Sequence, residues 1–389
     1  MNATRASRNG FVAQPTGSVF AHARAKGVDL VLALVVATLA MIGLVMVLSA
    51  AMTLDASRVG DPYFHGKRHL VWLGIAGVSG LIVWRVPLAV WRRAGPYLLI
   101  AAIGLLVLVL IPGVGRRVNG STRWLGVGGV TLQVSEFAKV AVLLYLSGYL
   151  VRHRDRVQTE WAGFLHPMLV LGVVVFLLIS EPDFGSVVVL MGTVLGLFFL
   201  AGVAVTRFLT LVVGSLFLGV LMVWVQPYRL ARIRAYQDPW ANQYDSGYQL
   251  TQSLIAFGRG EWWGLGLGNG VQKLLYLPEP HTDFVFAVIG EETGLIGSLV
   301  VLGLFVVLVC RGLWIGRQAE AGGQGFNAYL AYSIALLLGI QSLINLGVCT
   351  GLLPTKGLTL PFVSYGGSSL LVCGVLIGLL QRVYLESNR

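Results

Sequence analysis

The stretch that decides the fold is LPEPHTDFVFAVIGEETG, residues 277–294, together with the apolar run that follows it, Leu295 to Val309. It holds four carboxylates, one histidine and two prolines, directly before a run of side chains typical of a membrane helix. Acidic side chains beside a bilayer are costly unless they pair, face water or take part in chemistry. The stretch therefore predicts a membrane span with a polar site at its edge.

The composition extends this prediction to the whole chain. Of the 389 residues, 56% are hydrophobic and 12% are charged, and the mean hydropathy is +0.79, whereas a soluble domain is usually about 25% charged. Apolar runs near the length of a membrane span recur throughout, without the short alternating segments of a β-barrel. We therefore expect an all-α, polytopic integral membrane protein with about ten transmembrane helices. The predicted spans are residues 30–50, 69–84, 95–111, 134–151, 166–180, 185–203, 208–226, 285–310, 326–348 and 367–385.

The chain is predicted to divide into a short tail and one membrane domain. Residues 1–29 are polar and basic, and we expect a disordered cytoplasmic tail there, because the next apolar run is too long for a signal-peptide core. Residues 30–389 form a single predicted domain, whose longest polar excursion, about 227–284, links spans seven and eight. The fifth span is short and breaks at Glu181-Pro182-Asp183, which indicates a bent or incomplete crossing.

Basic residues indicate the orientation in the membrane. With the amino terminus in the cytoplasm, the inner segments hold 15 Lys and Arg residues and the short outer loops hold 7, and an excess of this kind is typical of the cytoplasmic side. Both termini are therefore predicted to be cytoplasmic. The unusual polar segments then all fall on the outer face, where we expect binding or chemistry: residues 112–133, 181–184, 227–284 and 349–366.

Two outer segments are rich in arginine. The first, GRRVNGSTRWLGVGGVTLQVSEFAK (115–139), contains Arg123 and Trp124. The second, 228–240, contains three more arginines: Arg229, Arg232 and Arg234. A basic patch at a bilayer surface commonly meets anionic headgroups, but guanidinium forks also match the oxygens of a phosphate or pyrophosphate. Trp124 fits either the interfacial aromatic belt or a stacking platform for a sugar.

Charged residues also enter the predicted spans. Glu136 and Lys139 are spaced three apart at the start of the fourth span, which predicts a structural pair that neutralises itself. Asp183 lies at the break before the sixth span and is predicted either to cap that helix or to line an outer cavity. Glu291 and Glu292 are expected to pair with buried cations or polar groups rather than to catalyse.

Asp283 is the strongest candidate for chemistry. Pro278 and Pro280 stop any helix before His281, so Thr282 or Asp283 is expected to cap the eighth span. A carboxylate at this point is partly desolvated and close to the headgroups, which suits a general base. The residues alone support an outer-face site for an anionic amphiphile.

Four segments resemble the SEDS (shape, elongation, division and sporulation) family. They are DPWANQYDSGYQLTQSLIAFGRGEWWGLGLGNGVQKLLYLPEPHTDFVFAVIGEETG, LLPTKGLTLPFVSYGGSS, NGSTRWLGVGGVTLQVSEFAK and EPDFGS. With its lysine, the segment PTKGLTLPF resembles the division branch of the family more than the elongation branch. Val134, Pro280 and Thr293 depart from the family pattern without touching the proposed chemistry.

The resemblance implies a peptidoglycan glycosyltransferase that acts during septal wall synthesis at the outer face of a bacterial cytoplasmic membrane. Its substrate would be lipid II, a disaccharide-peptide on undecaprenyl pyrophosphate. Asp283 would be the catalytic acidic residue, and substrate-binding residues are expected around it: Trp124, Arg123, Asp183, Lys356 and His281. Arg123, Lys356 or a bound divalent cation would stabilise the leaving pyrophosphate.

Two other functions stay open on the sequence. A lipid II flippase would need substrate-binding residues on both faces of the membrane, whereas the inner loops are short and carry little besides basic residues. A non-catalytic scaffold for a septal transpeptidase is the other alternative. The chain has neither Ser-x-x-Lys nor a Walker A sequence, so crosslinking needs a partner. The resemblance implies a class B penicillin-binding protein in that role, beside other membrane proteins of cell division, and no nucleic acid.

The three cysteines do not change this interpretation. Cys310, Cys349 and Cys373 are scattered in or beside apolar runs, which favours packing between helices over a disulfide framework or a zinc site. No metal ligands are therefore assigned from the sequence.

Overall fold

Helices and one small sheet make up the computed structural model, which describes residues 27–118, 121–127 and 130–388. The helices are α1 Leu30–Arg58, α2 Phe64–Arg85, α3 Leu88–Leu110, α4 Val134–Arg152, α5 Arg154–Thr159, α6 Trp161–Ser180, α7 Phe184–Leu200, α8 Val205–Val225, α9 Pro227–Gln237, α10 Tyr248–Gly260, α11 Val285–Ala321, α12 Gly325–Cys349 and α13 Gly367–Ser387. The strands are β1 Gly115–Val118, β2 Ser121–Val127 and β3 Val130–Gln133. Residues 1–26 of the predicted tail lie outside the described residues, so the tail and the single-domain division stay predictions.

Long apolar helices confirm the predicted class of multi-pass helical membrane protein. In the described part of the chain, eight helices are long and apolar enough to cross a membrane: α1, α3, α4, α6, α8, α11, α12 and α13. An α-helix satisfies its backbone donors and acceptors internally, as a bilayer requires. The other two predicted spans fall on α2 and on α7, which is apolar but only 17 residues long. The number ten and the orientation therefore stay predictions.

The fifth predicted span is longer than the sequence indicated. α6 begins at Trp161 rather than at residue 166 and runs for 20 residues to Ser180, which is enough for a complete crossing. The expectation of an incomplete crossing is therefore wrong, whereas a bent crossing stays a prediction, and α6 contains Pro167. The break itself lies where Pro182 predicted it, because α6 ends at Ser180 and α7 begins at Phe184.

A three-stranded antiparallel sheet between α3 and α4 was not predicted. Its order is β1-β2-β3, and Trp124 of β2 lies opposite Arg116 of β1 and Gln133 of β3. The backbone N–H of Gln133 donates to Ser368 Oγ at 2.8 Å. Since Ser368 lies in the first turn of α13, this bond attaches the sheet to the helical bundle.

The core of the bundle is built around α4 and α12, whose side chains are mostly buried. α8 is the opposite case, because its apolar side chains are exposed and only Arg207 is buried. Arg207 donates to the carbonyl oxygens of Gln158 and Thr159, at the end of α5. α8 is thus anchored at one end and apolar over the rest of its surface, as a lipid-facing helix is.

α11 is broken at Gly294, which has φ 67° and ψ −165°. Only glycine adopts such a backbone easily, and a side chain here would come within 2.5 Å of the Trp262 carbonyl oxygen. The break divides α11 into a short segment, 285–293, and a long one, 295–321. The break also leaves backbone carbonyl groups free at the end of the short segment. The backbone carbonyl oxygens of Glu291 and Glu292 accept the N–H groups of Leu265 and Gly266, in the loop 261–272, at 3.0 Å.

The side chains of Glu291 and Glu292 bind the same loop, which we call the glycine loop (residues 261–272). Glu291 accepts the backbone N–H groups of Val271 at 2.9 Å and Gln272 at 3.0 Å. Glu292 accepts the backbone N–H of Gly268 at 3.0 Å. It also lies 2.6 Å from Lys273 Nζ and accepts the hydroxyl of Ser49 in α1. Both carboxylates are thus paired with buried donors, as the sequence led us to expect.

Glu136 and Lys139 also meet inside the bundle. Lys139 Nζ lies 2.9 Å from Glu136 Oε1, and the same ammonium donates to Gln341 Oε1 of α12 at 3.0 Å. Lys139 is completely buried. The pair therefore links α4 to α12 while keeping its charges compensated within the core.

Lys273→Met should strongly destabilise the protein, because it leaves the Glu292 carboxylate buried without its cation. The two side chains are 5% and 0% exposed, and removing one partner of a buried pair typically costs about 3–5 kcal/mol. The matched control is Lys67→Met, whose ion pair with Asp61 is 67% and 40% exposed and should contribute less than about 1 kcal/mol. Unfolding of both variants in mixed micelles of increasing SDS content measures the difference, and equal losses would contradict the assignment.

Candidate active site

The backbone around Asp283 is held from two sides. Asn345 Nδ2 of α12 donates to the Asp283 carbonyl oxygen at 2.9 Å, and the Tyr365 N–H donates to the His281 carbonyl oxygen at 2.9 Å. The residue that caps α11 is Phe284, and no side chain makes a capping bond there. The prediction that Thr282 or Asp283 caps this helix is therefore wrong, and the Asp283 carboxylate makes no capping hydrogen bond.

The Asp283 carboxylate is half-buried and short of donors. No residue in the described part of the chain donates a hydrogen bond to it. Burial raises the pKa of Asp283 to about 7, and the Glu279 carboxylate adds to this rise, while Arg232 and Arg123 oppose it. The group is thus close to half-ionised at neutral pH, which is the range in which a general base works best.

The loop 354–360 passes directly over this carboxylate. A Cβ atom on Gly357 would lie 3.0 Å from Asp283 Oδ2, so the loop can approach this closely only because residue 357 has no side chain. Two side-chain amides one turn apart on α12 hold this loop. Gln341 Nε2 donates to the backbone carbonyl oxygen of Thr359 at 3.0 Å, and Asn345 Nδ2 donates to that of Leu358 at 2.6 Å.

Sequence reasoning missed Gln341 and Asn345 as positioning residues. Their signal was present, because two amides spaced four apart inside an apolar span are costly unless they bind a partner. Asn345 bridges Asp283 and the loop, so it fixes the distance between the carboxylate and residues 355–358.

Three cations gather around Phe184, at the start of α7. Lys356 Nζ lies 4.1 Å from the centre of the Phe184 ring and the Arg229 guanidinium 5.0 Å from it. Arg232 donates to the Thr355 carbonyl oxygen at 3.1 Å. Burial lowers the pKa of Lys356 to about 8, and the charges of Arg232 and Arg229 contribute to this. Lys356 is still mostly protonated at pH 7, so the cluster is strongly positive.

Arg123 is engaged with the break between α6 and α7. Its Nε donates to the Glu181 carbonyl oxygen at 3.2 Å, its Nη2 to the Pro182 carbonyl oxygen at 2.6 Å, and its Nη1 lies 3.5 Å from Asp183 Oδ1. Asp183 caps α7, since its carboxylate accepts the Ser186 N–H at 3.2 Å. The capping alternative for Asp183 is thus observed, and the guanidinium fork of Arg123 holds the backbone of the break.

Glu181 is a second unusual carboxyl group at this break. It is fully buried, and neither carboxylate oxygen has a hydrogen-bond partner among the described residues. Burial raises the pKa of Glu181 to about 8, with a contribution from Asp183 that Arg123 opposes. The group is therefore neutral at pH 7, which avoids an uncompensated charge beside Asp183.

Trp124 and His281 have different surroundings. Trp124 follows Arg123 in β2, is half-buried and is paired in register with Gln133, whose Nε2 lies 3.3 Å from Asp183 Oδ2. Gln133 thus connects the sheet to the break between α6 and α7. His281 instead lines a neighbouring cavity of about 230 Å³.

The imidazole of His281 is neutral at physiological pH. Its ring centre lies 4.6 Å from that of His65 and 5.7 Å from that of Tyr365. Burial lowers the pKa of His281 to about 4, and the neighbouring His65 contributes. His281 cannot attract an anionic ligand through charge. Substrate contacts of His281 and Trp124 stay predictions.

Metal ligands are not grouped in the described part of the chain. Among the described residues, no three or more His, Cys, Asp or Glu side chains are placed to hold a metal ion. The charges available at this face are those of the protein's own cations.

Comparison with known proteins adds to this geometry. Residues 29–389 match the profile of the Cell cycle protein family, which covers FtsW, RodA and SpoVE. The chain is 55% identical over 350 residues to the "Probable peptidoglycan glycosyltransferase FtsW" of Hahella chejuensis, and the match covers 90% of this chain and 88% of the relative.

Two solved structures are similar over most of their length. One comes from work on structural coordination of polymerization and crosslinking by a peptidoglycan synthase complex, with a TM-score of 0.76, 28% identity, and 93% and 99% coverage of the two chains. The other is the rod shape determining protein RodA of Thermus thermophilus, with a TM-score of 0.70, 27% identity, and 93% and 98% coverage.

Asp283→Asn should stabilise the folded protein above about pH 4. The pKa of Asp283 rises from its ordinary value of 3.8 to about 7 on folding, so ionisation favours the unfolded chain. This cost is absent below about pH 4, grows between pH 4 and 7 and is constant above pH 7, whereas asparagine does not titrate. Thermal unfolding of both proteins at several pH values between 4 and 8.5 measures it.

Asp61→Asn provides a control of opposite sign. The hydrogen bond from Lys67 lowers the pKa of Asp61, so its ionised form favours folding and the substitution should reduce stability at neutral pH. This loss should shrink as the pH falls through the carboxyl range. If Asp283→Asn behaved like Asp61→Asn, the desolvated state of Asp283 would be refuted.

Proposed function

The chain belongs to the FtsW/RodA/SpoVE family of cell cycle proteins, and from this premise we propose that it is a peptidoglycan glycosyltransferase of the FtsW type that polymerises lipid II at the outer face of the membrane. The family predicted from the sequence is confirmed. One observation carries the proposed chemistry, namely the half-buried Asp283 carboxylate, which has a pKa of about 7 and lacks a donor among the described residues.

Asp283 acts as the general base in this proposal. Its carboxylate takes the proton from the acceptor sugar hydroxyl as that oxygen attacks the anomeric carbon of the donor. The bond from this carbon to the pyrophosphate oxygen breaks, and the leaving pyrophosphate keeps the electron pair. Transfer from an α-linked lipid donor to a β-linked strand inverts the anomeric carbon, so one displacement with one base is sufficient.

The cations around Phe184 stabilise the leaving group. Negative charge develops on the pyrophosphate during bond cleavage, and Lys356 and Arg232 lie on the loop and helix that flank Asp283. Preorganised charges in a partly desolvated site are worth far more than the same charges in water. We therefore assign Lys356 and Arg232 as the principal pyrophosphate contacts, and a divalent cation bound with the substrate would add to them.

Arg123 has a positioning role in this proposal. Its fork is occupied by the backbone of the α6–α7 break, and this break presents Phe184 to the cations. Arg123 also lies close enough to oppose the rise in the pKa of Asp283. Asp183 supports the same break through Arg123, Gln133 and Ser186.

Crosslinking of the new strand requires a second protein. The similar solved chain comes from a complex that coordinates polymerization and crosslinking, which supports a partner of the penicillin-binding transpeptidase class. The relatives named FtsW support a place in cell division, at the septum. Both the partner and the septal location are part of this proposal.

Asp283→Asn should reduce glycan polymerisation by about 10²–10⁴-fold, the usual contribution of a positioned general base. The assay is lipid II polymerisation per mole of folded protein, with the transpeptidase partner present. The parental rate should rise with pH through about pH 7, because only the ionised Asp283 accepts a proton. Near-parental turnover of Asp283→Asn would refute the catalytic assignment.

Glu279→Gln tests whether this pH dependence belongs to Asp283. The Glu279 charge raises the pKa of Asp283, so its removal should move the midpoint of the rate profile to lower pH while the maximal rate stays similar. An unmoved midpoint would assign the titration to another group.

Lys356→Met should lower the rate of polymerisation by about 10²-fold, as the loss of one electrostatic stabiliser of a transition state commonly does. Lys356→Arg keeps the charge and should retain most of the activity. Lys67→Met removes a lysine at an exposed position away from Phe184 and should leave the rate unchanged. The role of Lys356 would be wrong if Met and Arg at residue 356 gave the same rate.

A further inference from the structure

A cavity of about 780 Å³ opens at the end of the bundle opposite Asp283. It lies between the start of α3, the end of α4, the start of α12 and the end of α13. α12 begins at this cavity with Gly325 and carries Asn345, the partner of Asp283, near its other end. A helix of 25 residues is about 37 Å long, so the two sites face opposite sides of the membrane.

Three arginines line this cavity: Arg92, Arg93 and Arg152. All three are exposed, and none makes an ion pair or a hydrogen bond with another residue of the described chain. The one acidic residue in the lining, Glu386, is already engaged, because it lies 2.7 Å from Arg382 Nε and accepts the Leu88 N–H at 3.0 Å. The positive charge of the cavity is therefore uncompensated.

The backbone adds to this charge. α12 begins at the cavity without a side-chain cap, whereas the first N–H of α3 already binds the Glu386 carboxylate. The start of a helix carries a partial positive charge and free N–H groups. Together with three guanidinium forks, which match phosphate oxygens in shape, this makes a site for a phosphate-bearing anion.

Part of the remaining lining is apolar and lies beside the lipid-facing surface, whereas Gln324 and Asn327 add polar groups. Leu88, Val151 and Phe326 line the cavity beside the arginines. Farther along α3, Val90 is 51% exposed and Tyr97 is 75% exposed, so the helix that carries Arg92 and Arg93 faces the bilayer. A ligand with a phosphate head and an apolar body satisfies both halves of the cavity, whereas inorganic phosphate satisfies only one.

We propose that this cavity binds the phosphodiester headgroup of an anionic membrane phospholipid in the leaflet opposite Asp283. The headgroup contacts Arg92, Arg93 and Arg152, and the acyl chains lie along α3. Because the cavity is formed by the ends of four helices, a bound lipid bridges α3, α4, α12 and α13 and stabilises their arrangement.

The test compares two variants that lose the same charge. Arg92→Gln/Arg93→Gln/Arg152→Gln removes the lining arginines, and Arg154→Gln/Arg156→Gln/Arg317→Gln removes three exposed arginines of the same predicted face that do not line the cavity. Native mass spectrometry of the purified proteins, titrated with phosphatidylglycerol or phosphatidylcholine, measures the retained lipid.

The parent should retain one phosphatidylglycerol at concentrations where phosphatidylcholine does not bind. The cavity variant should lose this lipid by about tenfold or more in affinity, since each lost arginine removes a charge-assisted bond, and the control variant should stay within about twofold of the parent, because its arginines contribute only to the screened surface field. Phosphatidylglycerol should raise the unfolding temperature of the parent and the control, and not that of the cavity variant.

Four results would overturn the proposal. Equal losses in both variants would mean that only overall surface charge attracts the lipid. Equal retention of phosphatidylcholine would mean an apolar crevice without headgroup recognition. Displacement by inorganic phosphate at low millimolar concentration would assign the cavity to a soluble phosphate compound. Preference for undecaprenyl pyrophosphate over phosphatidylglycerol would assign it to a precursor lipid and favour transport.

Discussion

Two adjacent carboxylates, Glu291 and Glu292, organise the end of the bundle that carries Asp283. Burying two like charges side by side is costly, and the cost is offset because Glu291 accepts two backbone N–H groups while Glu292 binds the Lys273 ammonium and the Ser49 hydroxyl. These contacts fasten the glycine loop against the break in α11. They thereby define where the short segment 285–293 ends, and Asp283 lies two residues before the start of that segment.

The carboxyl groups of this region fall into two classes, those that accept hydrogen bonds from several donors and those that do not. Glu291 and Glu292 are saturated with hydrogen bonds and structural, whereas the Asp283 carboxylate is half-buried, has no donor among the described residues and has a pKa near 7. Glu181 avoids the same conflict by staying neutral at pH 7. A carboxylate that is stabilised by many donors is a weak base, so the low number of donors at Asp283 is what makes it suitable for proton transfer. Stability and reactivity are thus assigned to different residues within a few turns of one helix.

The helices could be predicted because hydropathy and proline act locally. The break at Pro182 and the family segments around Asp283 are visible in the sequence. Hydropathy does not predict the sheet, because its strands are short and rich in glycine and polar residues, although Asn119-Gly120 and Gly128-Gly129 are dipeptides typical of two-residue hairpin loops. The contacts of Arg123 with residues 181–183 and of Asn345 with Asp283 span about sixty positions. They depend on how the helices pack, which no local pattern contains. The predicted cap at Thr282 or Asp283 failed for the same reason, because the residue directly before the helix is Phe284, which makes no side-chain capping bond.

The long-range polar contacts of α1 have a consequence for how the chain is assembled. Ser49 binds Glu292, 243 positions later, and the backbone of Asp29 binds Gln381, 352 positions later. α1 leaves the ribosome long before α11 and α13, so Ser49 and Asp29 obtain these partners only when those helices have been inserted. During synthesis α1 must therefore stay in the bilayer, or beside an insertion factor, while the Ser49 hydroxyl and the Asp29 backbone still lack these hydrogen-bond partners. The closing of the bundle is therefore a late event, and a chain that ends before α13 lacks the contact of Gln381 with Asp29, the residue directly before α1.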